Sequence, residues 1–161
     1  MKGDKAVLDH LQQALMMELT AVRQYLFHSH LLADWGLDKL ALKMKDEMHE
    51  ELGHADRLLA RIMFLEGEPE LAGDGSVARP QSVKDMFEAD LRDEYEARTY
   101  YTTAADTAYN AGDLGSRELF IDLIRDEEGH IDWIESQINL LNRLGEANYT
   151  MMQVADGTGE V

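Results

Sequence analysis

Cysteine does not occur anywhere in the 161 residues. Its absence excludes iron–sulfur clusters, thiolate zinc and a rubredoxin-type electron-transfer site within the chain, and it removes disulfides as a clue to compartment. Proline is nearly missing as well. Only Pro69 and Pro80 occur, close together, so the chain on either side is free of strong helix breakers and an all-α fold is expected. Basic residues are scarce: 15 Lys and Arg stand against 32 Asp and Glu, for a net charge of −17. That balance excludes nucleic acid as a partner, because phosphate would be repelled. It suits a protein that attracts cations, and equally one that acid merely keeps soluble. Long apolar runs are lacking too. No stretch could span a membrane and residues 1–10 do not resemble a signal peptide, so no membrane partner and a cytoplasmic location are expected.

What is present is an ordinary globular balance, 45% hydrophobic and 29% charged, in a length that suits one domain. The expected domain covers residues 1–155, with 156–161 as a disordered tail. Apolar residues recur at helical spacing over 5–34, with Leu8, Leu11, Leu15, Val22 and Tyr25 on one stripe. A second helix is expected over 38–66, on Met44, Met48, Ala55, Leu58, Ile62 and Leu65. Residues 67–81 are polar and punctuated by Gly67, Pro69, Gly73, Gly75 and Pro80, which reads as an irregular linker. Ser82 and Asp85 resemble a capping box that opens a third helix, running to about residue 111. A fourth helix is expected over 114–144 and a short fifth over 146–154. Tight turns at Gly36 and Gly112 make two antiparallel hairpins. The linker of about fifteen residues reaches about 50 Å extended, enough to run the length of a thirty-residue helix of about 45 Å. The expected fold is therefore an antiparallel four-helix bundle with one long crossover.

Each helix interrupts its apolar stripe with a glutamate: Glu18, Glu51, Glu94 and Glu127. Four carboxylates in one core would be prohibitive without compensating positive charge. The two intervals, Glu18 to Glu51 and Glu94 to Glu127, are both 33 residues, with midpoints at the two turns. Folding each hairpin there brings its glutamates to one height. His54 and His130 follow the second glutamate of each hairpin by three positions, on the same helix face. At a constant offset of 76, Tyr25 corresponds to Tyr101, and Glu-x-Gly-His-x-Asp occurs at both 51–56 and 127–132. Glutamates from two helices plus Glu-x-x-His from two others form the ligand pattern of a ferritin-like di-metal carboxylate site. Such an oxygen-rich set with two imidazoles suits iron or manganese. Buried salt bridges are the competing explanation, and the stripes carry few basic residues to form them.

The residues resemble bacterioferritin over nearly the whole chain: Met1-Lys-Gly-Asp4, Asp34-Trp-Gly-Leu37, Phe64-Leu-Glu-Gly67, Arg125-Asp-Glu-Glu-Gly-His-Ile-Asp-Trp133, Leu144-Gly145 and Asn148-Tyr149. The resemblance implies a shell of 24 subunits that stores ferric mineral. It also implies a ferroxidase centre with two Fe ions per subunit and O2 or H2O2 as oxidant. Glu51 and Glu127 would bridge the irons, His54 and His130 would each bind one, and Glu18 and Glu94 would complete them. Tyr25 and Trp133 match aromatic neighbours that assist electron transfer; Trp133, and Tyr101 still more, also fit ordinary core aromatics. Asp46 and Glu50, one turn apart, match an inner-surface iron path or a plain solvated face. A ferredoxin-type reductant would release the iron.

The family's haem b departs from this chain. Its axial methionine falls where Leu52 stands, and leucine cannot ligate iron. Met48, one turn away, fits core packing better than substitution for it. The chain is thus read as a haem-free subunit, or as one that shares a mixed shell with a methionine-bearing paralogue, and haem b itself stays open. A structural partner subunit and a non-storage di-iron or di-manganese oxidase that consumes peroxide are the alternative functions. His10, His28, His30 and His49 are read as surface or interface residues.

Overall fold

The computed structural model describes residues 1–73 and 75–155. Its elements are α1 (Lys5–Asp34), α2 (Asp38–Phe64), α3 (Val83–Asn110), α4 (Leu114–Leu144) and α5 (Glu146–Met151). The fold is the expected all-helical four-helix bundle with a short fifth helix. The tail expected over 156–161 lies outside the described residues.

Side chains fix most of the helix starts. Asp4 Oδ1 accepts from the backbone N–H of Ala6 at 2.8 Å, Ser82 Oγ from that of Asp85 at 3.0 Å, and Asp113 Oδ1 from that of Ser116 at 3.0 Å. The two hairpin turns are built alike. Gly36 and Gly112 have φ of 77° and 73°. The N–H of Leu37 reaches back to Leu32 O, and that of Asp113 to Ala108 O, both at 2.9 Å. Each is a glycine-closed helix end of the Schellman type, where a side chain would be strained. Two boundaries differ from expectation. α2 stops at Phe64 because Glu66 turns into the left-handed region (φ 59°) and Gly67 closes onto Ile62 O at 2.9 Å. α5 ends at Met151, once buried Tyr149 has packed edge-on against Phe87.

α1 pairs mainly with α2 and α3 with α4, while α1 also touches α3 and α2 touches α4. The crossover runs along α1. Glu70 exchanges two hydrogen bonds with Gln12 (2.8 and 2.9 Å), Gly75 O accepts from Arg23 at 3.1 Å, and Ala78 N–H donates to Gln24 at 3.2 Å. α2 and α3 are consequently parallel, as the linker length predicted.

The apolar interior has two parts. One gathers Leu11, Leu15, Leu58, Ile62, Tyr101 and Phe120, and the other Leu32, Met44, Phe87, Ile134, Leu141 and Tyr149. Glu18, Glu51, Glu94 and Glu127 fall between these parts on their four helices, forming a polar layer across the middle of the bundle. Every one of them is at most 5% exposed.

Candidate metal centre

Burying four carboxylates at one level is favourable only if something positive sits among them. Among the described residues no lysine or arginine pairs with any of the four; His54 and His130 are the basic groups that approach them. His54 Nδ1 lies 2.9 Å from Glu51, 3.6 Å from Glu18 and 3.7 Å from Glu127. His130 Nδ1 lies 3.1 Å from Glu127, 3.2 Å from Glu51 and 3.5 Å from Glu94. The two rings stand 6.2 Å apart, nearly parallel. The salt-bridge explanation thus has no cations beyond the imidazoles themselves.

The donor atoms converge without satisfying one another. Glu51 Oε2, Glu127 Oε2 and both Nδ1 atoms are buried with no aligned hydrogen-bond partner. Orphaned lone pairs aimed at a common point are what a metal ion requires and what a hydrogen-bonded core avoids. The donors fall into two groups, Glu18, Glu51, His54 and Glu127 in one and Glu51, Glu94, Glu127 and His130 in the other. Glu51 and Glu127 belong to both. Carboxylate and imidazole donors suit iron or manganese, so the residues present fit two such ions.

Protonation follows from the same crowding. Burial, then the nearby Glu51, pushes Glu18 up to about 8. Burial also pushes Glu127 up to about 10, with Glu51, Glu18 and Glu94 outweighing the relief from His130. Burial would raise Glu51 too, but the imidazoles of His130 and His54 and the Glu18 carboxyl hold it well below the usual carboxylate range. Burial opposes charge on the histidines, yet Glu18 and Glu51 raise His54 to about 11, and Glu127, Glu51 and Glu94 hold His130 far above the imidazole range. Protons therefore balance the carboxylates, and a metal ion would compete with them directly.

A cavity of about 250 Å³ opens between α1, α3 and the crossover and reaches Glu18, Glu51, Glu94 and Glu127. Gln24 spans its wall, donating to Asp90 and Asp93 at 2.8 Å each. The layer is thus reachable from the side that the crossover covers.

Comparison with known proteins places this architecture. The family described as the ferritin-like domain matches residues 8–144. Bacterioferritin of Brucella melitensis is 44% identical over 155 residues, covering 96% of each chain. Bacterioferritin of Rhodobacter capsulatus is 43% identical with the same coverage.

The chain belongs to the bacterioferritin family.

A solved structure of the Rhodobacter capsulatus bacterioferritin, described as having a metal-free dinuclear site and haem iron in a crystallographic special position, matches with a TM-score of 0.96. The two are 42% identical, over 99% of this chain and 100% of that one.

The other residues singled out from the sequence fall in varied places. Tyr25 is buried and its hydroxyl donates to Glu94. Trp133 is half-buried, edge-on to Phe87, with Lys43 Nζ 5.0 Å from the centre of its ring. Leu52 is 49% exposed and offers no donor atom, while Met48 is half-buried against the core. Glu50 stands half-exposed, 3.5 Å from His130 Nε2, and forms a third group of donors with Glu47 and His130; Asp46 is exposed and lies outside it.

Three features correct or extend the sequence reading. His28 is not a surface residue: it is fully buried, 3.2 Å from Asp90 and 3.3 Å from Ala78 O, pinning the crossover between α1 and α3. His10 is half-buried too, between Tyr100 and Thr107, whereas His30 and His49 are exposed. Glu47, not Asp46, points inward: it is 3% exposed and 3.0 Å from His130 Nε2, with Lys43 on its other oxygen. Its signal was available, since Glu47 precedes Glu51 by one helical turn. Asp126 approaches His54 Nε2 at 3.3 Å. Each imidazole thus has a carboxylate near its Nε2, but His130 Nε2 and Glu47 Oε2 are not aligned as a hydrogen bond.

Proposed function

We propose that this chain stores iron by oxidising it. Two Fe²⁺ ions are taken up per subunit by Glu18, Glu51, His54, Glu94, Glu127 and His130, and ferric mineral is deposited inside a 24-subunit shell. The observation that carries this reading is the pair of donor groups sharing Glu51 and Glu127. Shared carboxylates hold two ions side by side, so that two one-electron donors face one oxidant. Two Fe²⁺ give two electrons to O2, which with two protons leaves as H2O2; the same two electrons and two protons take H2O2 to water. The chain supplies no nucleophile. Its residues bind, orient and release protons: Glu18 and Glu127, protonated by burial, give up their protons as the ions enter. The cavity under the crossover is the access route for ion and oxidant, and the net charge of −17 favours cation approach. The ferritin-like relatives, the full-length match and the dinuclear site of the Rhodobacter capsulatus structure support the reading.

Haem b does not fit at Leu52. Expressed alone, the chain is expected to show no Soret band; in the cytoplasm it forms a homo-oligomeric shell, or a mixed one with a methionine-bearing paralogue. A ferredoxin-type reductant would return the iron. The test is an absorbance record of purified protein during aerobic Fe²⁺ addition. A fast phase ending at two Fe²⁺ per subunit, followed by slower mineral growth, supports storage. A fast phase that consumes H2O2 without any mineral would indicate the peroxide-consuming oxidase instead.

A further inference from the structure

Tyr25 and Tyr101 occupy equivalent places in the two hairpins, 76 residues apart, and their hydroxyls cross over. Tyr25 on α1 donates to Glu94 on α3, and Tyr101 on α3 donates to Glu18 Oε1 on α1 at 2.5 Å. Tyr101 is 1% exposed and packs its ring 6.0 Å from that of Phe120. Phenylalanine would satisfy that packing equally well, so the hydroxyl requires its own explanation. Its partner is one oxygen of one carboxylate. Oε1 accepts from the phenol, and Oε2 is the oxygen that faces His54 Nδ1, 3.6 Å away. Left alone, a glutamate can grip a metal with either or both oxygens.

We propose that Tyr101 is a positioning residue for the dimetal site: its hydroxyl makes Glu18 a one-oxygen ligand for the ion shared with His54, leaving a coordination position on that ion for the oxidant, as Tyr25 does through Glu94 for the ion shared with His130. This rests on the iron-oxidising reading above. It gives both terminal carboxylates the same restraint, each supplied by the opposite hairpin. Catalytic metal sites keep one position open, and hydrogen bonds to ligating carboxylates set their affinity.

Anaerobic titration of the assembled, metal-free protein with Co²⁺ alone tests this without turnover. The visible d–d bands report coordination number, and the equivalents taken up report stoichiometry. Wild type is expected to bind two Co²⁺ per subunit. Tyr101→Phe is expected to bind one of the two about 10-fold more weakly, with weaker visible bands for that ion as Glu18 closes on it with both oxygens. Tyr25→Phe is expected to do the same to the other ion. In a Glu18→Gln background, Tyr101→Phe should change nothing further. Circular dichroism and thermal unfolding of the metal-free variant verify that the ring still packs. Affinity and spectrum unchanged by Tyr101→Phe, or an equal loss at both ions, would overturn the proposal. A wild type that takes up fewer than two Co²⁺ overturns the dimetal reading itself, and this proposal with it.

Discussion

The two helical hairpins bring the same groups to the centre of the bundle but close them off differently. Each offers a terminal glutamate, a shared glutamate, a histidine one turn on, and a tyrosine that reaches across to the other hairpin. Behind the histidines the likeness is partial. His54 Nε2 meets Asp126, whose side chain is 37% exposed, whereas His130 Nε2 meets Glu47, whose side chain is 4% exposed, with Glu50 beyond it. The groups that face the middle are duplicated closely; behind them Glu50 and Asp126 correspond at the same offset of 76, whereas Glu47 has Leu123 as its counterpart. Two ions held here would share bridging ligands yet sit in different electrostatic surroundings.

The largest expected effect comes from the residues that belong to both halves. Glu51→Ala or Glu127→Ala should abolish uptake of both ions, whereas Glu18→Ala or Glu94→Ala should remove one. Rapid Fe²⁺ oxidation should fall in all four by more than the roughly 100-fold that indirect ligand support can account for. Metal uptake by equilibrium titration distinguishes none from one, and equal losses across the four would break the division into shared and terminal ligands.

Next in size is pH. A carboxyl that binds its proton more tightly folded than unfolded contributes fully below its unfolded value of about 4.5, and that contribution disappears as pH rises through the folded value. Glu18 passes through that point at about 8, and Glu127 at about 10. Metal-free protein should therefore lose on the order of several kcal/mol of stability between pH 6 and 9, through Glu127 across the whole window, through Glu18 up to about pH 8, and through His54, whose folded value of about 11 lies above that of a free imidazole. Protein loaded with Co²⁺ should not, because the ions replace the protons. Thermal unfolding at the two pH values, repeated with Glu18→Gln, reads this directly; an unchanged slope in that variant would assign the share of Glu18 elsewhere.

A smaller effect probes the asymmetry behind the histidines. Glu47→Gln should weaken one Co²⁺ by about 10-fold, and Asp126→Asn by less, since its exposed carboxylate is screened by solvent. The reverse order would show that burial is not what separates the halves. Smallest is a pair of glycines. Gly53 and Gly129 are exposed within helices, and a Cβ on either would meet nothing within 4 Å. Alanine at each should stabilise by about 0.5 to 1 kcal/mol in thermal unfolding. A gain at Gly129 with a loss at Gly53 would mean that another copy packs close to the first hairpin.

Much of this could be read from the residues because duplication leaves a countable trace. Equal intervals of 33 and an offset of 76 place four glutamates at one level without any knowledge of packing, and linker length decides the topology. What escaped depends on contacts between distant segments. His28 lies beside Asp90 and Ala78, 62 and 50 residues away, and nothing local marks it as buried. Tyr101 looked like a core ring because ring packing is periodic, while the direction of its hydroxyl is set by α1. Asp46 and Glu47 differ by one position, about 100° around the helix, and only the phase fixed by Glu51 separates outside from inside.

The central claim is that six residues hold two ions through two shared carboxylates. Anomalous diffraction from crystals soaked anaerobically in Fe²⁺ tests it most directly. The account predicts two peaks per subunit in the middle layer, one within ligand distance of Glu18 and His54, the other of Glu94 and His130, with Glu51 and Glu127 touching both. A single peak, or peaks confined to the Glu47 and Glu50 side of His130, would contradict it.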